Sequence, residues 1–80
     1  PMWHARPRPK RAFLLNNIGY LYKAQGRLPI AKDYFLRSLE MFRASGFDDG
    51  ISLVLGNLGD IALKRSEFQD ALNLVTDALQ

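Results

Sequence analysis

The sequence carries an internal repeat with a period of 40 residues. The residues that match at this offset are mostly apolar or small: Leu15 and Leu55, Asn17 and Asn57, Ile18 and Leu58, Gly19 and Gly59, Leu21 and Ile61, Leu28 and Phe68, Ala31 and Ala71, Leu39 and Leu79. Repeats of about 20–50 residues are typical of solenoids, whose units bury their apolar faces against one another. The chain is therefore predicted to be a stack of copied units.

Composition limits the chain to one small globular unit. It has 80 residues, of which 48% are hydrophobic and 24% are charged, as in folded domains. No cysteine is present, which excludes disulfides and thiolate metal sites and favours a reducing compartment such as the cytoplasm. No apolar run approaches the ~18 residues of a membrane span.

The basic charge is concentrated at the N-terminus. The net charge is +3, but residues 1–11 hold four basic side chains and no acid, whereas the other 69 residues hold seven basic and eight acidic ones. Residues 1–10 include three prolines and no periodicity, so we predict a disordered, basic segment there. Nucleic-acid binding through this segment is the least favoured of our functional hypotheses, because the rest of the chain lacks a basic excess.

Apolar residues recur at helical spacing in four segments. The first runs from about Lys10 to Gln25 and the second to about Ala44, with Gly26 and Gly46 as stops and Pro29 in a first turn. Asp48 or Asp49 is predicted to cap the third helix, and Ser66-x-x-Gln69 is predicted to be a capping box that starts the fourth. The predicted fold is all-α, with two tandem antiparallel helix hairpins at about residues 11–46 and 51–80.

Small residues at equivalent places predict how each hairpin closes. Gly19 and Gly59 lie in helix interiors, where glycine costs about 1 kcal/mol relative to alanine. Ala31 and Ala71 each follow twelve residues later. We expect each glycine to face its alanine, because two small residues let the helices approach closely.

These residues resemble the tetratricopeptide repeat signature. The first copy carries the pattern Leu15-x-x-Ile18-Gly19-x-x-Tyr22 followed by Ala31-x-x-x-Phe35. The second copy carries Leu55-x-x-Leu58-Gly59 and Ala71, and departs at Ala62, Val75 and Ser66. The resemblance covers about residues 11–80, and the 40-residue period is similar to the extended repeats of bacterial regulators and of cargo and polarity adaptors.

The resemblance implies a non-enzymatic scaffold that binds a peptide or helix of another protein in its concave groove, within a longer array. The residues predicted to line the groove are Asn17, Tyr20, Asn57, Asp60, Asn16, Lys23 and Lys64. Two interpretations of the paired Asn17 and Asn57 stay open. Their amides can pair with a peptide backbone, or they can bond a neighbouring helix or a water and order the stack, and the two roles are compatible.

No cofactor, metal or catalytic site is predicted. The only histidine, His4, has no second ligand beside it, and no nucleophile–base spacing occurs. An alternative function is a sensory or regulatory segment of a bacterial signalling or transcription-regulatory protein. We also predict that the last helix, with Leu72, Val75 and Leu79 uncovered, makes the segment self-associate or leaves it only marginally stable.

Overall fold

The computed structural model describes residues 8–80, which form three helices joined by short turns. They are α1 (Lys10–Ala24), α2 (Leu28–Ser45) and α3 (Asp48–Ala78). No strand occurs within residues 8–80, and the predicted all-α class is confirmed. Most of the predicted N-terminal segment, with His4, lies outside the described residues.

The turns on either side of α2 form where the sequence predicts them. Gly26 and Gly46 have φ values of 78° and 66°, a left-handed conformation that only glycine adopts without strain. Pro29 lies in the first turn of α2, where no intrahelical partner for its missing N–H is needed. Gly26 thus ends α1, Pro29 starts α2 and Gly46 ends α2.

The first hairpin closes through the predicted small residues. A Cβ atom placed on Gly19 would lie 2.8 Å from Cε1 of Phe35 and 3.2 Å from the carbonyl oxygen of Ala31. The prediction that Gly19 faces Ala31 is therefore confirmed. Ser38, which is fully buried on α2, donates a hydrogen bond of 2.6 Å from Oγ to the carbonyl oxygen of Ala12 on α1.

The core lies where α2 packs between α1 and the first half of α3. Its buried apolar residues are Ala12, Ala31, Phe35, Leu39, Phe42, Val54 and Ile61. Phe13 packs edge-on against Phe42, with the ring centroids 4.9 Å apart, and also contacts Phe47. Such aromatic contacts add about 0.5–1.5 kcal/mol beyond area burial.

The second hairpin is absent from this structure, because residues 48–78 form one continuous helix. The predicted break at Ser66 is wrong, and Gln69 donates a hydrogen bond to Asn73 instead of forming a capping box. Gly59 and Ala71 lie twelve residues apart on the same helix, or about 18 Å. The prediction that they face each other is wrong as well.

Two substitutions between the copies explain the uninterrupted helix. Ser66 stands where the first copy has the left-handed Gly26, and Gln69 stands where it has Pro29. Serine and glutamine both fit a helix interior far better than glycine and proline do. The second copy therefore has the apolar positions of the repeat without the residues that turn the chain.

The start of α3 also differs from the prediction. Phe47 is the N-cap residue, and no side chain in the described part of the chain caps the helix. Asp48 and Asp49 lie in the first turn rather than at the cap. There they complement the positive end of the helix dipole.

The end of α3 projects beyond the rest of the molecule. The described residues extend over 69 × 17 × 14 Å. Residues 62–80 are all exposed, including the large apolar side chains Leu63, Phe68, Leu72, Leu74, Val75 and Leu79. We call residues 66–80 the distal segment of α3.

Candidate partner-binding face

Side chains of α1 and α3 meet on one side of the molecule. Asn16, Tyr20 and Lys23 share one face of α1 because they are spaced by four and three residues. Asn57 and Asp60 occupy the face of α3 that adjoins them. We call these five residues the polar face.

An amide pair joins the two helices at the centre of the polar face. Nδ2 of Asn57 donates a hydrogen bond of 2.9 Å to Oδ1 of Asn16, which is only 5% exposed. Nζ of Lys23 donates a second bond of 3.3 Å to Oδ1 of Asn57. Asn57 thus uses its donor and its acceptor within the protein.

Lys23 and Asp60 form an ion pair beside the amides. Nζ of Lys23 lies 2.9 Å from Oδ2 of Asp60, and the two side chains are 11% and 38% exposed. The same ammonium group lies 5.0 Å from the centre of the Tyr20 ring, within cation–π range. Lys23 therefore contacts three residues of the polar face and holds them in one arrangement.

The charges around Asp60 favour its ionised form. The hydrogen bond from Lys23 lowers the pKa of Asp60 below its ordinary value, and the positive charges of Lys23 and Lys64 act in the same direction. Desolvation opposes this shift but does not outweigh it. Asp60 is consequently an anionic group at the edge of the polar face.

The structure brings five of the seven predicted groove residues together and leaves two outside. Asn17 is exposed on α1 and lies in a separate surface hollow of about 470 Å³, which is lined by Arg8, Lys10, Phe13, Leu14 and Asn17. Lys64 is exposed one turn beyond Asp60 and contributes only its charge. Asn17 is therefore not part of the polar face, and it makes no hydrogen bond with Asn57.

The stacking interpretation of the asparagines holds for Asn57, which bonds the neighbouring helix. Its partner is Asn16, at an offset of 41 residues, and not the repeat-equivalent Asn17. Equivalent residues of two stacked units occupy the same place on successive helices, so they point in the same direction and do not face each other. The sequence repeat alone could not identify Asn16 as the partner.

Two further structural residues were not anticipated in their roles. The ring of Phe13 packs in the aromatic cluster with Phe42. The hydroxyl of Ser38 joins α2 to the backbone of α1. A polar residue at a buried repeat position was the available signal for Ser38.

Within residues 8–80, no three histidine or acidic side chains lie close enough together to hold a metal ion. In the same part of the chain, no helix combines the length and the apolar character needed to cross a membrane.

Comparison with known proteins gives one finding. The family model for the tetratricopeptide repeat matches residues 10–80. No curated protein and no solved structure matches the chain. The match covers nearly the whole chain, both helices of the closed hairpin and all of α3, and it agrees with the all-α structure. The chain belongs to the tetratricopeptide repeat family.

Proposed function

We propose that this chain is a protein-interaction module that binds a peptide or helix of a partner protein across its polar face. The family supports the general role, because tetratricopeptide repeats serve as scaffolds for other proteins. The observation that carries the finer proposal is the bonded set of Asn16, Asn57, Lys23 and Asp60. A prearranged polar surface loses little side-chain entropy when a ligand docks on it.

The exposed members of this surface would make the contacts with the partner. The Tyr20 ring is 55% exposed, although one side of it lies near Lys23, and tyrosine is enriched at interfaces because it is rigid and amphipathic. The partly exposed carboxylate of Asp60 can accept a hydrogen bond from a peptide N–H or a basic side chain. Asn57 and Asn16 are bonded to each other and are connected to Asp60 and Tyr20 through Lys23.

The expected binding is weak. The polar face spans only two helices, and interfaces of small area are typical of transient complexes. Asn16 is 5% exposed, and the Asn57 amide already bonds Asn16 and Lys23, so the amides offer a ligand little access. The affinity should therefore depend on Tyr20 and Asp60 more than on the amides.

The test is selection of binders from a displayed peptide library on the 80-residue protein, followed by titration of the best peptide. Tyr20→Ala should weaken its binding by more than about 1 kcal/mol, the loss that separates the few energetically important interface residues from the rest. Leu74→Ala is the matched control, because Leu74 is also a large exposed side chain but lies on the distal segment. Equal losses for both variants, or none for Tyr20→Ala, would contradict the proposal.

We propose no catalytic role for this segment and a cytoplasmic location. Scaffolding without catalysis is the general function of the family. The absence of cysteine from all 80 residues supports a reducing compartment.

Self-association is a second candidate function, and the exposed side chains of the distal segment favour it. Phe68 is 71% exposed and Leu79 is 83% exposed, on a helix that nothing covers within the described residues. A group of large apolar side chains in water marks an interaction surface. Association with a second copy would remove these side chains from water.

A further inference from the structure

The outer side of α1 repeats a surface that is buried elsewhere in the same molecule. Leu14 and Leu21 are 57% and 61% exposed. Their equivalents at the 40-residue offset are Val54 and Ile61, which are 0% and 2% exposed in the core shared with α2. This side of the repeat's first helix is thus covered by α2 in the second repeat, where the helix is α3. It is left open in the first repeat, where the helix is α1.

The distal segment of α3 repeats the helix that does the covering. Its exposed apolar side chains Phe68, Leu72, Val75 and Leu79 correspond at the same offset to Leu28, Lys32, Phe35 and Leu39 of α2. Three of these four α2 residues pack in the core cluster that contains Val54 and Ile61. The distal segment has an apolar residue at every one of the four positions.

The two open surfaces are therefore the two halves of an interface that already exists between α2 and α3. We propose that the distal segment of one copy docks on the outer side of α1 in a second copy, as α2 docks on α3. This inference rests on the proposed self-association and specifies its geometry. In the existing interface the Phe42 ring lies against Gly50. If the distal segment docks on α1 of the second molecule in the same antiparallel register as α2 on α3, Leu79 lies near Leu14 of that molecule. Leu72 then lies near its Leu21.

Charge independently favours this pairing. Helix α1 carries Lys10, Arg11 and Lys23 and no acid. The distal segment carries Glu67, Asp70 and Asp77 and no base. A contact between α1 and the distal segment joins opposite charges, whereas a contact between two distal segments joins like charges. The antiparallel register also brings the negative C-terminal end of α3 to the positive N-terminal end of α1.

The proposed contact joins two different surfaces, so it does not close after two copies. Such heterologous contacts build rings or open chains of subunits. Each copy in the assembly can use its α1 surface and its distal segment at once. The mass in solution should therefore rise with protein concentration beyond that of a dimer.

The test is sedimentation equilibrium of the 80-residue protein and three single variants. Leu21→Gln places a polar side chain on the apolar outer side of α1, and Leu72→Gln places one on the apolar row of the distal segment. Neither substitution changes the net charge. Leu74→Gln is the control, because Leu74 is exposed and lies to one side of the apolar row. All three side chains are exposed, so circular dichroism should show an unchanged helix content.

We expect the wild type and Leu74→Gln to associate, and Leu21→Gln and Leu72→Gln to be shifted strongly toward monomer when each is alone. An equimolar mixture of the last two should form a one-to-one dimer, because each retains the surface that the other lacks. That dimer should not grow further.

Three results would overturn the inference. Association that Leu21→Gln leaves unchanged would show that distal segments pair with each other, and self-association would stand without this geometry. A mixture that stays monomeric would contradict complementary surfaces. A monomeric wild type throughout the concentration range would remove self-association itself and the proposed contact with it.

Discussion

Asn57 donates its amide hydrogen bond to Asn16 and not to the repeat-equivalent Asn17. The bond spans α1 and α3, with a donor–acceptor distance of 2.9 Å. It places the amides inside the repeat stack, where they join successive units. Asn17 is exposed and lies about 100° around α1 from Asn16, so it does not meet Asn57.

The first prediction concerns the amide pair. Asn57→Ala removes the one donor that residues 8–80 supply to the buried Oδ1 of Asn16, and the free energy of unfolding should fall by about 1–3 kcal/mol because that oxygen loses its partner. Asn17→Ala is the control and should change stability by no more than about 0.5 kcal/mol, as exposed substitutions usually do. Urea denaturation of both variants measures the difference, and equal stabilities would show that the pair does not hold the helices together.

The second prediction compares two glycines that match in the repeat. Gly19→Ala should destabilise the protein by about 1–3 kcal/mol, because its Cβ would lie 2.8 Å from the buried Phe35 ring. Gly59→Ala should stabilise it by up to about 1 kcal/mol, because no neighbouring atom of residues 8–80 lies within 4 Å of the new Cβ in mid-helix. Thermal denaturation of both variants gives the signs. A destabilised Gly59→Ala would indicate that another helix covers Gly59 in solution.

The sequence repeat predicted the first hairpin well because its local signals agree with its packing. Gly26, Pro29 and Gly46 mark the turns, and Gly19 with Ala31 marks the close contact. In the second repeat the apolar pattern and the turn residues no longer predict the same structure. The apolar positions still have the pattern of a hairpin, but Ser66 and Gln69 lack the backbone preferences that would turn the chain.

The polar face was only partly predictable for a different reason. Helical spacing shows which residues share a face, so Asn16, Tyr20 and Lys23 could be grouped on α1. Which side chains bond between helices depends on the offset between stacked units. That offset is a property of packing, and the bond between Asn57 and Asn16 became visible only in three dimensions.

The third prediction restores the missing turn. Ser66→Gly combined with Gln69→Pro gives the second copy the turn residues of the first, and a proline inside a helix costs about 3 kcal/mol relative to alanine. The helix should break there, and the distal segment should fold back over Gly59. Small-angle scattering should then show a maximum dimension clearly below that of the wild type, whose described residues extend over 69 Å. Ser66→Ala is the control and should keep the wild-type length.

The fourth prediction follows from the ion pair of Lys23 and Asp60. Because the folded-state pKa of Asp60 lies below its ordinary value of 3.8, ionised Asp60 stabilises the fold at pH values above that value. This contribution is lost as the pH falls through the lowered pKa of the folded state. The difference in unfolding free energy between wild type and Asp60→Asn should thus be constant near neutral pH and shrink below about pH 4. Urea denaturation at a series of pH values measures this difference in unfolding free energy.

In a Lys23→Met background the same comparison should show a smaller pH dependence, because the hydrogen bond that chiefly lowers the pKa of Asp60 is gone. An unchanged pH dependence in that background would show that Lys23 does not cause the shift.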